Sequence, residues 1–197
     1  MLIDAAVNIL DYFNKYVPYI KKGFVIDIPL LWKAIIAVFA FAVIILAVFL
    51  RKREKLETSG AVAFTLLAIY LFVFFVCAII LRQAEPHPRL SLDVFWAYKK
   101  WLVEKQNFFP EIAGNVLIMI PIGFLLPVCL KKSASVNKRF LFTVGTGFAI
   151  SFSIELMQFI FKKGLADAND LLNNLLGIII GFLLYLITVR VAEWVKK

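Results

Sequence analysis

The sequence predicts an all-α fold, a multi-pass transmembrane helical bundle, on three observations. The 197-residue chain is 62% hydrophobic with a mean hydropathy of +0.89, whereas soluble domains are about half apolar. Charged residues make up only 18%, and they bunch between long apolar runs. Five of those runs reach the roughly 20 apolar residues that a spanning helix needs. Soluble enzyme folds are thereby set aside. In a membrane protein the formal net charge of +9 reports topology first, so no nucleic-acid partner is expected.

Residues 1–27 form a separate N-terminal segment. Asp4, Asn8, Asp11 and Lys15 recur at steps of three and four and share one helical face. Apolar residues cover most of the rest, as in a helix lying at the interface or packed on the bundle. Asp4 and Asp11 stand where a cleavable signal peptide would have a basic region, so the first span is expected to act as its own insertion signal.

The spans follow in order. Residues 28–50 form the first, with Lys33 near its start, and residues 61–81 the second; 28–81 is one unit. A three-span membrane domain is expected over 82–190, from runs at 112–130, 140–161 and 171–189. The run at 112–130 contains Pro121, Gly123 and Pro127, and Pro121 must free a carbonyl that a neighbour satisfies. Residues 191–197 form a basic tail. Between the second and third runs lie Phe95, Trp96, Tyr98, Trp101, Phe108 and Phe109 among Arg89, Lys99 and Lys100. Such a mixture suits the membrane interface. An interfacial helix is expected at about 91–106, either roofing a pocket or forming a simple aromatic belt.

Orientation rests on where the basic loops are dense. The loops after the first and third runs and the tail hold 11 basic and 3 acidic residues, which places them in the cytoplasm. The other side holds 10 basic and 10 acidic residues, with Lys33 just inside the first run. The N-terminus is then outside and the C-terminus inside. Cys77 and Cys129 fall toward opposite membrane faces and are not expected to pair.

That topology gathers polar residues from three helices at one membrane depth. Ionisable groups inside a membrane are costly and usually face a protein interior or a wet cavity. Glu155 and Gln158 are three apart and share a face. They either line a pocket or hold the bundle by an interhelical hydrogen bond. Asp167 suits a helix cap, with Asp170 near the third helical position. Asn173, Asn174, Gly177 and Gly181 continue the stripe from Asp170, as a polar pocket above and a close helix contact below. Asn115 lies one turn into the third run. Lys162 and Lys163 follow the fourth, where they can meet a phosphate or neutralise Asp167 and Asp170. The candidate pocket residues are Asn115, Glu155, Gln158, Asp167, Asp170, Asn173, Asn174 and Lys163. Their oxygens can hold a hard cation or act as general acids and bases. No His or Cys joins them, and His87 reads as a loop residue. The residues alone name no cofactor and leave binding and catalysis both open.

Three stretches carry a resemblance: NVLIMIPIGFLLP from Asn115 to Pro127, ELMQ from Glu155 to Gln158, and DANDLLNNLLGIIIG from Asp167 to Gly181. In order and spacing across about residues 82–185 they resemble the VanZ family. The segment RLSLDVFWAY, Arg89 to Tyr98, is similar to the family's loop before its asparagine motif, with Val94 where a proline is frequent. Many members carry an arginine before the first aspartate; here the stretch reads Lys162, Lys163, Gly164, Leu165. The resemblance implies a bacterial membrane protein linked to resistance to lipid-tailed glycopeptides of the teicoplanin class. Its implied partners are the bilayer and a lipid-linked cell-wall precursor or the lipoglycopeptide itself. The other class the residues allow is an enzyme on a lipid-linked phosphate or sugar, using paired carboxylates or a divalent cation.

Overall fold

The computed structural model describes residues 28–196; the amphipathic segment expected at 1–27 lies outside them. Five helices are long and apolar enough to cross a membrane. Helix α1 is Leu30–Lys52, and α2 is Thr58–Phe75, prolonged by a wider π turn over Val76–Ile80. A short strand β1, Arg89–Ser91, leads to the short helix α3, Trp96–Leu102. Helix α4, Phe109–Leu125, ends in a 3₁₀ turn over Leu126–Cys129. Helix α5 is Val136–Phe161, strand β2 is Leu165–Asp167, and α6 is Ala168–Val195.

Four of the five spans begin three or four residues before their apolar runs, and two of those starts are set by side-chain caps. Ser135 caps α5 by accepting the Lys138 N–H, and Asp167 caps α6 by accepting the Asn169 N–H at 2.9 Å. Helix α6 runs on through residues 191–195, where a separate tail is expected. The interfacial helix is shorter than the expected 91–106. Ser91 belongs to β1, residues 92–95 form a turn in which Asp93 accepts the Phe95 N–H, and Lys105, at φ 56°, adopts a left-handed conformation that a helix cannot continue.

Helix α4 against α6 is the most extensive contact. Glycines make it possible. A Cβ on Gly177 would lie 2.9 Å from the Met119 Cβ, and one on Gly181 would lie 2.8 Å from the Phe124 nitrogen. Backbones that close leave room for hydrogen only. Leu67, Met119, Ile122, Leu126 and Ile178 fill the buried core beside this seam. One turn before Pro121, which lies inside a continuous α4, the Tyr70 hydroxyl donates to the Ile118 carbonyl at 2.6 Å, tying α2 to α4. Helix α1 packs chiefly on α2, with Phe39 stacked on Phe72. Outward-facing Phe41, Leu141 and Ile187 suit contact with lipid tails.

At the far end of α4, Arg139 is buried. It donates to the carbonyls of Pro127, Leu130, Lys131 and Ala134. Pro127 lies in the 3₁₀ turn that ends α4 and the other three in the loop before α5, so the guanidinium fork ties this connection to α5. Cys77 and Cys129 are free and sit toward opposite ends of the bundle.

Candidate functional site

The polar residues collect where α2 ends, α4 begins, α5 ends and α6 begins. The α5–α6 connection is a tight device. Lys162 adopts the left-handed conformation, φ 55°, and the Lys163 N–H reaches back to the Gln158 carbonyl at 2.8 Å. This is a Schellman-type helix end. Gly164 follows at φ 120°, a conformation glycine adopts without strain. Strand β2 then pairs in parallel with β1, Arg89 opposite Leu165 and Ser91 opposite Asp167. The Glu85 N–H adds a bond to the Lys162 carbonyl at 2.7 Å.

Asp167 is the hub. Its Oδ1 caps α6, and its Oδ2 accepts the Trp96 indole N–H at 2.6 Å. Its own N–H donates to Glu155 Oε2 at 2.9 Å. One turn on, Asn173 Oδ1 accepts the Tyr98 hydroxyl at 2.5 Å, and Asn174 Nδ2 donates to Ser151 Oγ at 2.8 Å. Burial pushes the Tyr98 hydroxyl above the usual tyrosine range, which keeps it a donor. Trp96 and Tyr98 therefore fasten α3 to the start of α6. Trp96 also meets Phe108 edge-on, ring centres 5.1 Å apart.

Beneath this strap lies a cavity of about 440 Å³, lined among others by Arg82, Trp96, Phe108, Glu111, Asp167 and Asp170. Arg89 and Glu85, ion-paired at 3.0 Å, stand at its mouth. The Arg82 guanidinium lies against Gly164, where a Cβ would come within 3.0 Å of its central carbon. Arg82 lines the same cavity as Glu111 and Asp170. Asp170 Oδ1 is buried and has no hydrogen-bond partner; the same holds for both side-chain polar atoms of Asn169. Buried polar atoms are nearly always paired, so such atoms are where a bound group or water is expected.

The candidate residues divide. Asp167 and Asp170 line the cavity, and Glu155 stands behind Asp167. Asn173 and Asn174 sit deeper and bond to α3 and α5. Lys163 donates its Nζ to the Arg82 carbonyl at 2.7 Å and makes no ion pair with Asp167 or Asp170. Gln158 is buried and Asn115 half-buried; neither lines the cavity. Among the described residues no three His, Cys, Asp or Glu side chains converge as metal ligands.

Arg82, Glu111 and Asn169 are not among the candidates that the sequence singles out. Glu111 and Asn115 are four apart, as are Asn169 and Asn173, a helical-face signal that could have found Glu111 and Asn169. Arg82 has no such signal, because it meets Gly164 only through the fold.

A family model described as VanZ/LLP1 matches residues 61–189. The match takes in most of α2, ahead of the motifs that carry the resemblance. The chain is 33% identical over 133 residues to Protein VanZ of Enterococcus faecium, covering 66% of this chain and 74% of that protein. No solved structure matches.

Proposed function

Because the chain belongs to the VanZ/LLP1 family of multi-pass membrane proteins, we propose that it is an envelope factor protecting against lipid-tailed glycopeptides of the teicoplanin class. The cavity between α2, α4, α5 and α6 is the working site. It opens at the outer leaflet, with the C-terminus in the cytoplasm, and binds a lipid-linked envelope component or the drug's lipid portion. Asp167 and Asp170 contact the ligand, and Glu155, Asn173, Asn174 and Lys163 hold the surrounding turn. Asn115 and Gln158 act from outside the cavity wall.

One observation carries the reading. At one end of a bundle of spanning helices, a cavity joins an unpartnered buried carboxylate oxygen of Asp170 to the Arg82 charge and two aromatic walls. Ionisable groups held at membrane depth without mutual pairing favour function over packing. A concave site with a few convergent polar groups is what ligand binding needs.

The test is teicoplanin protection in cells that depend on this protein. Glu155→Gln and Asp170→Asn should each lose protection while the protein still accumulates in the membrane. Full protection from both variants would remove the reading.

A further inference from the structure

Resting on that reading, we infer that the cavity takes the sugar head of a lipid-linked glycan, rather than a phosphate or a quaternary ammonium group. The hydrogen-bonding inventory of the wall decides this. Each Asp167 oxygen already accepts one bond, from Trp96 or from the Asn169 N–H, which leaves Asp167 a secondary contact for a ligand. Arg89 and Glu85 are ion-paired with each other at the exposed rim. Three charged lining groups stand inside that rim: Asp170, with Oδ1 unpartnered, and Glu111 and Arg82, neither of which makes a side-chain hydrogen bond or an ion pair within 4 Å among the described residues.

A carboxylate accepts, a protonated carboxyl also donates, and a guanidinium only donates. A ligand that matches the set whichever way the carboxyls are protonated offers donors and acceptors to Glu111 and Asp170 and acceptors to Arg82. A fully ionised phosphate offers acceptors alone and would stand beside the carboxyl groups of Glu111, Asp167 and Asp170. A trimethylammonium head would leave Arg82 opposite a like charge. Hydroxyl and acetamido groups donate and accept at once, so a pyranose ring satisfies all three. Trp96 and Phe108 give that ring an apolar wall, and the Asp167 bond holds the indole in place before any ligand arrives. The cavity's volume falls within the usual range for small-molecule sites. Its position at the end of spanning helices leaves a lipid tail in the membrane.

The experiment uses the full chain in phosphatidylcholine nanodiscs and isothermal calorimetry with three probes: octyl N-acetylglucosaminide, octyl phosphate and octyltrimethylammonium. The glucosaminide should bind saturably above the signal of empty nanodiscs, and the other two should match empty nanodiscs. Glu111→Gln, at the cavity mouth, and Asp170→Asn should each weaken glucosaminide binding by about tenfold, the scale of one lost charged hydrogen bond. Unchanged thermal unfolding of Glu111→Gln shows that the fold is intact. Saturable binding of octyl phosphate that is lost in Arg82→Gln overturns the inference in favour of a phosphate head. Binding of octyltrimethylammonium overturns it in favour of a cation. Equal signals from all three, or none above empty nanodiscs, leave no head-group site and overturn it as well. If the glucosaminide fails while Glu155→Gln and Asp170→Asn still lose protection, the head group is misassigned and the protective function stands.

Discussion

Glu155 Oε2 accepts the backbone N–H of Asp167 at 2.9 Å, so the buried acid of α5 reaches the cavity only through the acid that caps α6. The bond uses the shape of the glutamate as much as its charge. Glu155→Gln keeps an acceptor oxygen and should fold with near-native thermal stability. Glu155→Ala strands a buried N–H and should lose about 1–3 kcal/mol. Parallel thermal unfolding of the two variants checks this. Equal losses would show that the charge matters to the fold.

Trp96→Phe keeps the aromatic wall and removes the donor to Asp167. Hydrogen bonds to charged groups contribute about 1.5–3 kcal/mol, so the melting temperature should fall by several degrees. An unchanged melting temperature would mean that the strap is held elsewhere.

Tyr98→Phe leaves Asn173 with neither end of its amide bonded, since Nδ2 already lacks a partner. A pH effect follows. The folded Tyr98 value lies above the ordinary value of about 10, so its stabilisation is full below pH 10 and is lost as pH climbs through the folded value. The native protein should lose stability on alkaline titration, and Tyr98→Phe should lose less over the same window.

Gly177→Ala and Gly181→Ala should each destabilise by about 1–3 kcal/mol, because a methyl has no space between α4 and α6. Gly145, on the exposed side of α5, is different: a Cβ added there would meet nothing within 4 Å. Gly145→Ala should be neutral or stabilising, since alanine favours a helix by about 1 kcal/mol. Expression and thermal unfolding of the three variants separate the seam from the exposed face.

The proposed orientation is open to thiol labelling. In a chain with Cys77 and Cys129 replaced by serine, Gln83→Cys should react with an impermeant maleimide in intact cells. Lys132→Cys should react only after the membrane is opened. The reverse pattern would invert the topology.

The spans were legible in the sequence because hydropathy over 20 residues is a strong local signal. Hydropathy missed the first turn at Ser135, a polar cap, whereas the cap at Asp167 was legible from its residue type and place. The Gly177 and Gly181 contact was legible from spacing alone. The β1–β2 pair was not: each strand has three residues, too few for a periodic pattern, and its partner is distant in sequence. The same distance hid Arg82 and separated Trp96 and Tyr98 from their carboxylate and amide. Aromatic residues near a membrane suggest a belt, and only the fold shows two of them aimed inward.

The pairing of Arg89–Ser91 with Leu165–Asp167 runs through backbone groups. Its register therefore tolerates many side chains at Leu90 and Leu165 but no change in length on either flank. A residue deleted between Gln83 and Pro88 would slide Ser91 out of step with Asp167, and Trp96 would miss its carboxylate. Descent with substitution is easy in these two connections, whereas descent with insertion or deletion is not. Related chains should therefore vary in the letters of this stretch while keeping its count.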